Sequence, residues 1–170
     1  MSNLPESRPK LSKEDAVKIL KAKLGAQAPK LAIIGVRGYY SKMGATAGND
    51  INLYDDAIFV VGTKYATFNA NTDPSFVIRR GKALAKLNPG NYKYYKGKHR
   101  GRYNALRPFP EGVALACTRN GKPSTAKYTN IHKGGTSGSD VTWSEGCQTL
   151  PAPNGTNSST WYTGRWTTTK

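Results

Sequence analysis

The dipeptide Asn120-Gly121 constrains the fold of this chain more than any other feature. Both residues tolerate the left-handed backbone that a tight hairpin turn requires. On one side lies the apolar run Val113-Ala114-Leu115-Ala116-Cys117. The pair therefore predicts a strand at 113–118, a turn, and a returning strand over 125–132 that ends at His132. Short apolar runs at 31–36 and 57–61, bounded by glycine, read as further strands, with 65–68 continuing a hairpin. Asn69 to Ser75, centred on Asn71-Thr72-Asp73-Pro74, carries turn chemistry, and 106–110 reads as a proline-marked loop. The adjacent Asp55 and Asp56 point to opposite faces of an extended chain, so they cannot flank one bond. They are read as a turn residue and a surface charge.

One helix is expected. Ser12 with Asp15 three residues on forms an N-cap, Ala16, Ile19, Leu20 and Leu24 recur at helical spacing, and Gly25 stops the run. The fold class is therefore mainly β with one or two short helices. At 170 residues, 37% of them hydrophobic, the chain is long enough for one domain with a real core. Its expected organisation is a flexible segment at 1–10, a single domain over 11–150 and a polar tail at 151–170. Beyond Leu150 the tail holds no Leu, Ile, Val, Phe or Met, which leaves little to bury. No apolar run is long enough to span a bilayer, and residues 1–10 lack the apolar stretch of a secretory signal.

The chemistry concentrates in Asn130-Ile131-His132-Lys133-Gly134-Gly135 and Ser144-Glu145-Gly146-Cys147-Gln148, joined by a Gly, Ser and Thr loop. A thiol becomes a strong nucleophile when an imidazole takes its proton. Gly146 lets the backbone turn beside the sulfur and offers amides to a developing oxyanion. Taken alone, His132 reads first as a hydrogen-bonded structural histidine; Gly134, Gly135 and the downstream Ser-x-Gly-Cys tip it to catalysis. The other cysteine, Cys117, lies in an apolar run and reads as a packing residue. With two cysteines and two histidines, and no Cys-x-x-Cys or His-Glu-x-x-His spacing, no metal site is expected, nor any other cofactor.

This pattern of His, Gly and Ser-x-Gly-Cys resembles the L,D-transpeptidase catalytic domain, over about residues 128–150. The resemblance implies a β-sandwich and a cysteine acyl-enzyme acting on peptidoglycan stem peptides. It matches Cys147 to the nucleophile, His132 to the general base, and Ser144 and Gly146 to the residues flanking the thiol. Gly134, Gly135 and Glu145 then border the substrate. Glu145 departs from the commoner pattern, which has a second histidine there; an acid beside the thiol raises its pKa, unless it orients His132 instead. Gly97-Lys98-His99 and Tyr103-Asn104-Ala105-Leu106 resemble a block of phage-borne relatives. That adds His99 and Tyr103 as candidate substrate contacts, and Arg107, like Arg119, offers a bidentate fork for a terminal carboxylate. His99 reads otherwise as part of a solvated charged turn, and Arg107 as scattered surface charge.

The formal net charge of +16 draws the chain to polyanions. Ten Lys and Arg residues and no acid lie between Asp73 and Glu111, interleaved with Tyr92, Tyr94, Tyr95 and Tyr103. Such a stretch suits anionic envelope polymers or single-stranded nucleic acid. With the resemblance, the expectation is a phage or prophage cell-wall enzyme of the endolysin kind. It would be held in the host cytoplasm before lysis, or carried on the virion, and would act on peptidoglycan by hydrolysis or cross-linking. The alternative is a non-catalytic basic module binding nucleic acid or the anionic envelope.

Overall fold

A computed structural model of the chain describes residues 4–41, 48–75, 83–134, 142 and 144–151. The expected tail beyond 151, Gly135 and most of the loop before Ser144 lie outside the described residues. The fold is mainly β, with ten strands and one α-helix among those residues.

Helix α1 spans Lys13–Leu24. Its first turn is closed by Ser12 Oγ, which accepts from the Asp15 amide at 3.1 Å. Its last turn ends on Gly25, whose φ of 64° is the left-handed value glycine adopts without penalty. Ala16 is fully buried, with Leu11, Val17 and Leu20 packed around it, whereas Ile19 stays on the exposed side. The helical spacing is as read, but the apolar stripe runs through Val17 instead of Ile19.

The helix covers one face of an antiparallel sheet formed by β1 (Ala32–Val36), β2 (Asp56–Val61) and β3 (Tyr65–Ala70), in that order. All six residues of β2 are buried, because its two faces meet different partners. Ala57, Phe59 and Val61 face α1. Ile58 and Val60 face Ile131 and Leu150 of a second sheet.

That second sheet has the order β10-β9-β6-β5. Strands β5 (Tyr94–His99) and β6 (Tyr103–Pro108) form a hairpin, and β9 (Ile131–Lys133) and β10 (Gln148–Leu150) run parallel to each other. A bridge between Asn71 and Thr149, with both amides bonded at 2.8 Å, ties the end of β3 to β10. A third, smaller sheet holds β4 (Lys86–Leu87), β7 (Leu115–Arg119) and β8 (Lys122–Ala126). Residues 4–10 form no regular element and lie along the body, with Pro9 buried and the Ser7 carbonyl accepting from Tyr40 Oη.

Four local expectations are corrected. The Asn120-Gly121 turn forms, with φ of 48° and 74°, but the returning strand stops at Ala126. Tyr128 takes a φ of 61°, and the chain crosses to the second sheet to become β9. The tyrosine-rich stretch and much of the expected loop at 106–110 are instead the β5–β6 hairpin, turned at Arg100 and Gly101 with φ of 50° and 72°. Residues Asn71, Thr72, Asp73 and Ser75 are not an exposed turn; all are buried. Asp55 and Asp56 are buried too, at 1% and 0% exposure.

The last two corrections, at 71–75 and at Asp55 and Asp56, share a cause, a polar network inside the molecule. Asp56 accepts from the Gly38 amide at 2.6 Å and from the Thr72 amide and hydroxyl at 2.5 and 2.8 Å. Asp73 pairs with Arg37 at 3.0 Å and Lys86 at 3.1 Å. Arg37 also donates to the carbonyls of Thr72 and Leu87. Burial pushes the Asp55 carboxyl up to about 6, against the amide bond from Asp50. A buried acid is retained where several donors hold it, and here those donors fix the 71–75 segment beside the second sheet.

Candidate active site

Strand β9 positions His132 by alternation. Ile131 turns into the core, so the next side chain faces the other way. There the imidazole meets His99 and Tyr103, which pair across the end of the β5–β6 hairpin. Ring centroids are 4.2 Å apart for His99 and His132, 5.2 Å for His99 and Tyr103, and 5.5 Å for Tyr103 and His132. His132 Nδ1 lies 2.5 Å from the carbonyl of Lys133. A carbonyl only accepts, so Nδ1 carries the proton and Nε2 keeps its lone pair. Burial also holds the imidazole down to about 4, with the cationic Arg100 acting in the same direction. The ring is neutral above that pH.

Cys147 immediately precedes β10, which pairs with β9 through Gln148–Ile131 and Thr149–His132. Parallel pairing of two three-residue strands is thus what brings residues 15 apart in sequence to one place. One donor atom from each of His99, His132 and Cys147 lies within 4.8 Å of the others. The sulfur also contacts the Tyr128 carbonyl at 3.4 Å. Burial raises the thiol to about 11; the Asn130 amide and Arg100 pull it down, and Glu145 adds a smaller upward push. The resting pair is therefore thiol and neutral imidazole, not thiolate and imidazolium.

The bend carrying the cysteine is braced from both sides. Ser144 Oγ accepts from the Gly146 amide at 3.0 Å and donates to the Cys147 carbonyl at 2.6 Å. The Ser144 backbone exchanges bonds with Ser75, amide to hydroxyl at 3.0 Å and carbonyl from amide at 2.7 Å. Gly146 has a φ of 149°, and a Cβ there would sit 2.8 Å from the Ala85 carbonyl. Gly134 meets a similar limit, 2.8 Å from Tyr54 Oη and Thr149 Cβ. The Gly146 amide, expected to face an oxyanion, is taken by Ser144 Oγ. The Cys147 amide has no acceptor among the described residues.

Glu145 is exposed and its carboxylate does not set the His132 tautomer; the Lys133 carbonyl does. His99, Tyr103, Arg107, Ser144, Glu145, Gly146 and Cys147 all border one open cavity of about 750 Å³ with His132. Arg107 pairs with Glu111 at 2.6 Å. Cys117 is fully buried in the third sheet, as its apolar neighbours imply. Comparison with protein-family models, curated proteins and solved structures found no match to this chain.

Sequence reasoning missed Asn130, Ser75 and Arg100. Asn130 Nδ2 lies 3.0 Å from His99 Nδ1, and its position two residues before His132 was the available signal, because alternation puts both on one strand face. Ser75 carried no signal, since Pro74 beside it reads as a loop. Arg100 became a site residue only through a hairpin whose strands are too basic to look like strands.

Proposed function

We propose that the protein is a cysteine acyl-transfer enzyme acting on peptidoglycan stem peptides, chiefly by hydrolysis. The observation that carries this reading is the neutral His132 ring, pinned by its Nδ1–H on Lys133 so that Nε2 keeps its lone pair, in the same cavity as the Cys147 thiol. His132 Nε2 takes the thiol proton as sulfur attacks a carbonyl carbon, so the charge pair forms only in the transition state. The developing oxyanion is met by the Cys147 amide. Nε2–H then protonates the leaving amine. Water enters the open cavity and gives its proton to His132 as its oxygen attacks the thioester carbon; the C–S bond then breaks to release the acid, and His132 returns the proton to sulfur. An amine acceptor in place of water yields a cross-link.

The choice of stem peptides comes from the resemblance to the L,D-transpeptidase domain. Charge is consistent with it: Lys98, Arg100, Arg107, Arg119 and Lys127 border the cavity, against Glu111 and Glu145, and stem peptides end in carboxylates. Among the described residues, no helix is long and apolar enough to cross a membrane. Mass spectrometry of muropeptides incubated with the protein tests the reading. Loss of stem-peptide cleavage in both Cys147→Ala and His132→Ala, each still folded, is expected. Unchanged cleavage in Cys147→Ala contradicts it.

A further inference from the structure

The cavity floor holds more soft donors than proton transfer needs. Beside Cys147 and His132 stands a second imidazole, His99, with the three donor atoms within 4.8 Å of one another. Tetrahedral zinc, at about 2.0–2.1 Å to nitrogen and 2.3 Å to sulfur, needs donors roughly 3.3–3.7 Å apart. Closing about 1 Å by side-chain rotation meets that requirement.

The outer contacts point the same way. A ligating histidine normally donates its remote ring N–H to an oxygen, which fixes the tautomer and frees the ligating nitrogen. His132 already does so toward the Lys133 carbonyl. His99 Nδ1 faces the side-chain amide of Asn130, a residue only 3% exposed, whose Oδ1 is buried with no hydrogen-bond partner. A half-turn of that amide, whose nitrogen and oxygen are alike in shape, gives His99 Nδ1–H an acceptor and satisfies the orphaned oxygen. Nε2 of His99 is then a free donor, like Nε2 of His132.

We propose that His99, His132 and Cys147 form a binding site for a thiophilic divalent cation of the zinc class. The fourth position opens to the cavity. On binding, the thiol releases its proton to solvent and both imidazoles ligate as neutral groups. Arg100 at the rim opposes the ion and Glu145 favours it. The inference rests on geometry and does not require acyl transfer. If the thiol is the nucleophile, an occupied site also withholds the sulfur lone pair, so the ion is a reversible inhibitor.

Cobalt(II) titration of the reduced, full-length chain tests this, with absorbance as the readout. One equivalent should produce a near-ultraviolet thiolate-to-cobalt band that zinc displaces. Cys147→Ser should abolish the band, and Cys117→Ser should leave it intact. His99→Ala should weaken cobalt binding about tenfold or more, and Asn130→Leu by roughly 10-fold through loss of the outer contact. Folding of each variant is checked by circular dichroism. No thiolate band in the folded wild type, or equal cobalt affinity in folded His99→Ala, overturns the proposal. Muropeptide cleavage measured in chelator reads the acyl-transfer reading separately.

Discussion

At the scale of single residues, the decisive fact is that both partners of the Cys147–His132 pair are neutral at rest. Burial moves the thiol to about 11 and the imidazole to about 4. Alkylation of Cys147 by iodoacetamide should therefore rise about tenfold per pH unit from pH 7 to 10, with no plateau at low pH. A plateau below pH 7 would mean a preformed ion pair and would contradict this account. His132 also shapes stability. Its folded pKa lies below the unfolded value of about 6.5, so the unfolded chain binds the extra proton first. This contribution is full above pH 6.5 and is lost as pH falls toward 4. The roles of Cys147 and His132 were proposed from the chain alone because the Ser-x-Gly-Cys pattern follows the histidine and its glycines. The tautomer was not legible, since it is set by a backbone carbonyl.

At the scale of elements, the bend 144–147 matters most, because it holds the sulfur against β9. Its amide, hydroxyl and carbonyl bonds to Ser75 and Ser144 fix the bend, and the Ala85 carbonyl leaves no room for a side chain at Gly146. Gly146→Ala should destabilise the fold by about 1–3 kcal/mol through backbone strain alone, more if Ala85 is displaced. It should also lower cleavage beyond what the lost folded fraction explains. Denaturant unfolding alongside muropeptide turnover checks both; wild-type stability would show that the bend is not tightly packed. Elements with local chemical signatures were legible: the Ser12 cap, the Gly25 stop and the Asn120-Gly121 turn each act within a few residues. The β5–β6 hairpin was hidden because its strands carry lysine and arginine on a solvent face. The 71–75 segment looked like a surface turn because its polarity is satisfied by Asp56, Arg37 and Lys86, partners distant in sequence.

At the scale of the whole molecule, two sheets share a core, a helix covers the outer sheet, and the candidate site opens between the second and third sheets under a cationic rim. A net charge of +16 makes attraction to an anionic wall strong at low salt and weak at high salt. Lys98→Glu with Arg100→Glu should reduce sedimentation with purified sacculi, and added salt should do the same to wild type, while Cys147→Ala should sediment as wild type. Charge governs arrival in this account, and the thiol governs turnover. Equal loss of binding in Cys147→Ala would join the two functions and contradict that division. The most direct test of the central claim is intact-protein mass spectrometry after acid quenching of a reaction with a tetrapeptide muropeptide. The wild type should gain the mass of the acyl portion on Cys147, removable by hydroxylamine, and Cys147→Ala should gain nothing. Cleavage without any adduct dependent on Cys147, or a folded wild type that neither acylates nor cleaves, would contradict the account.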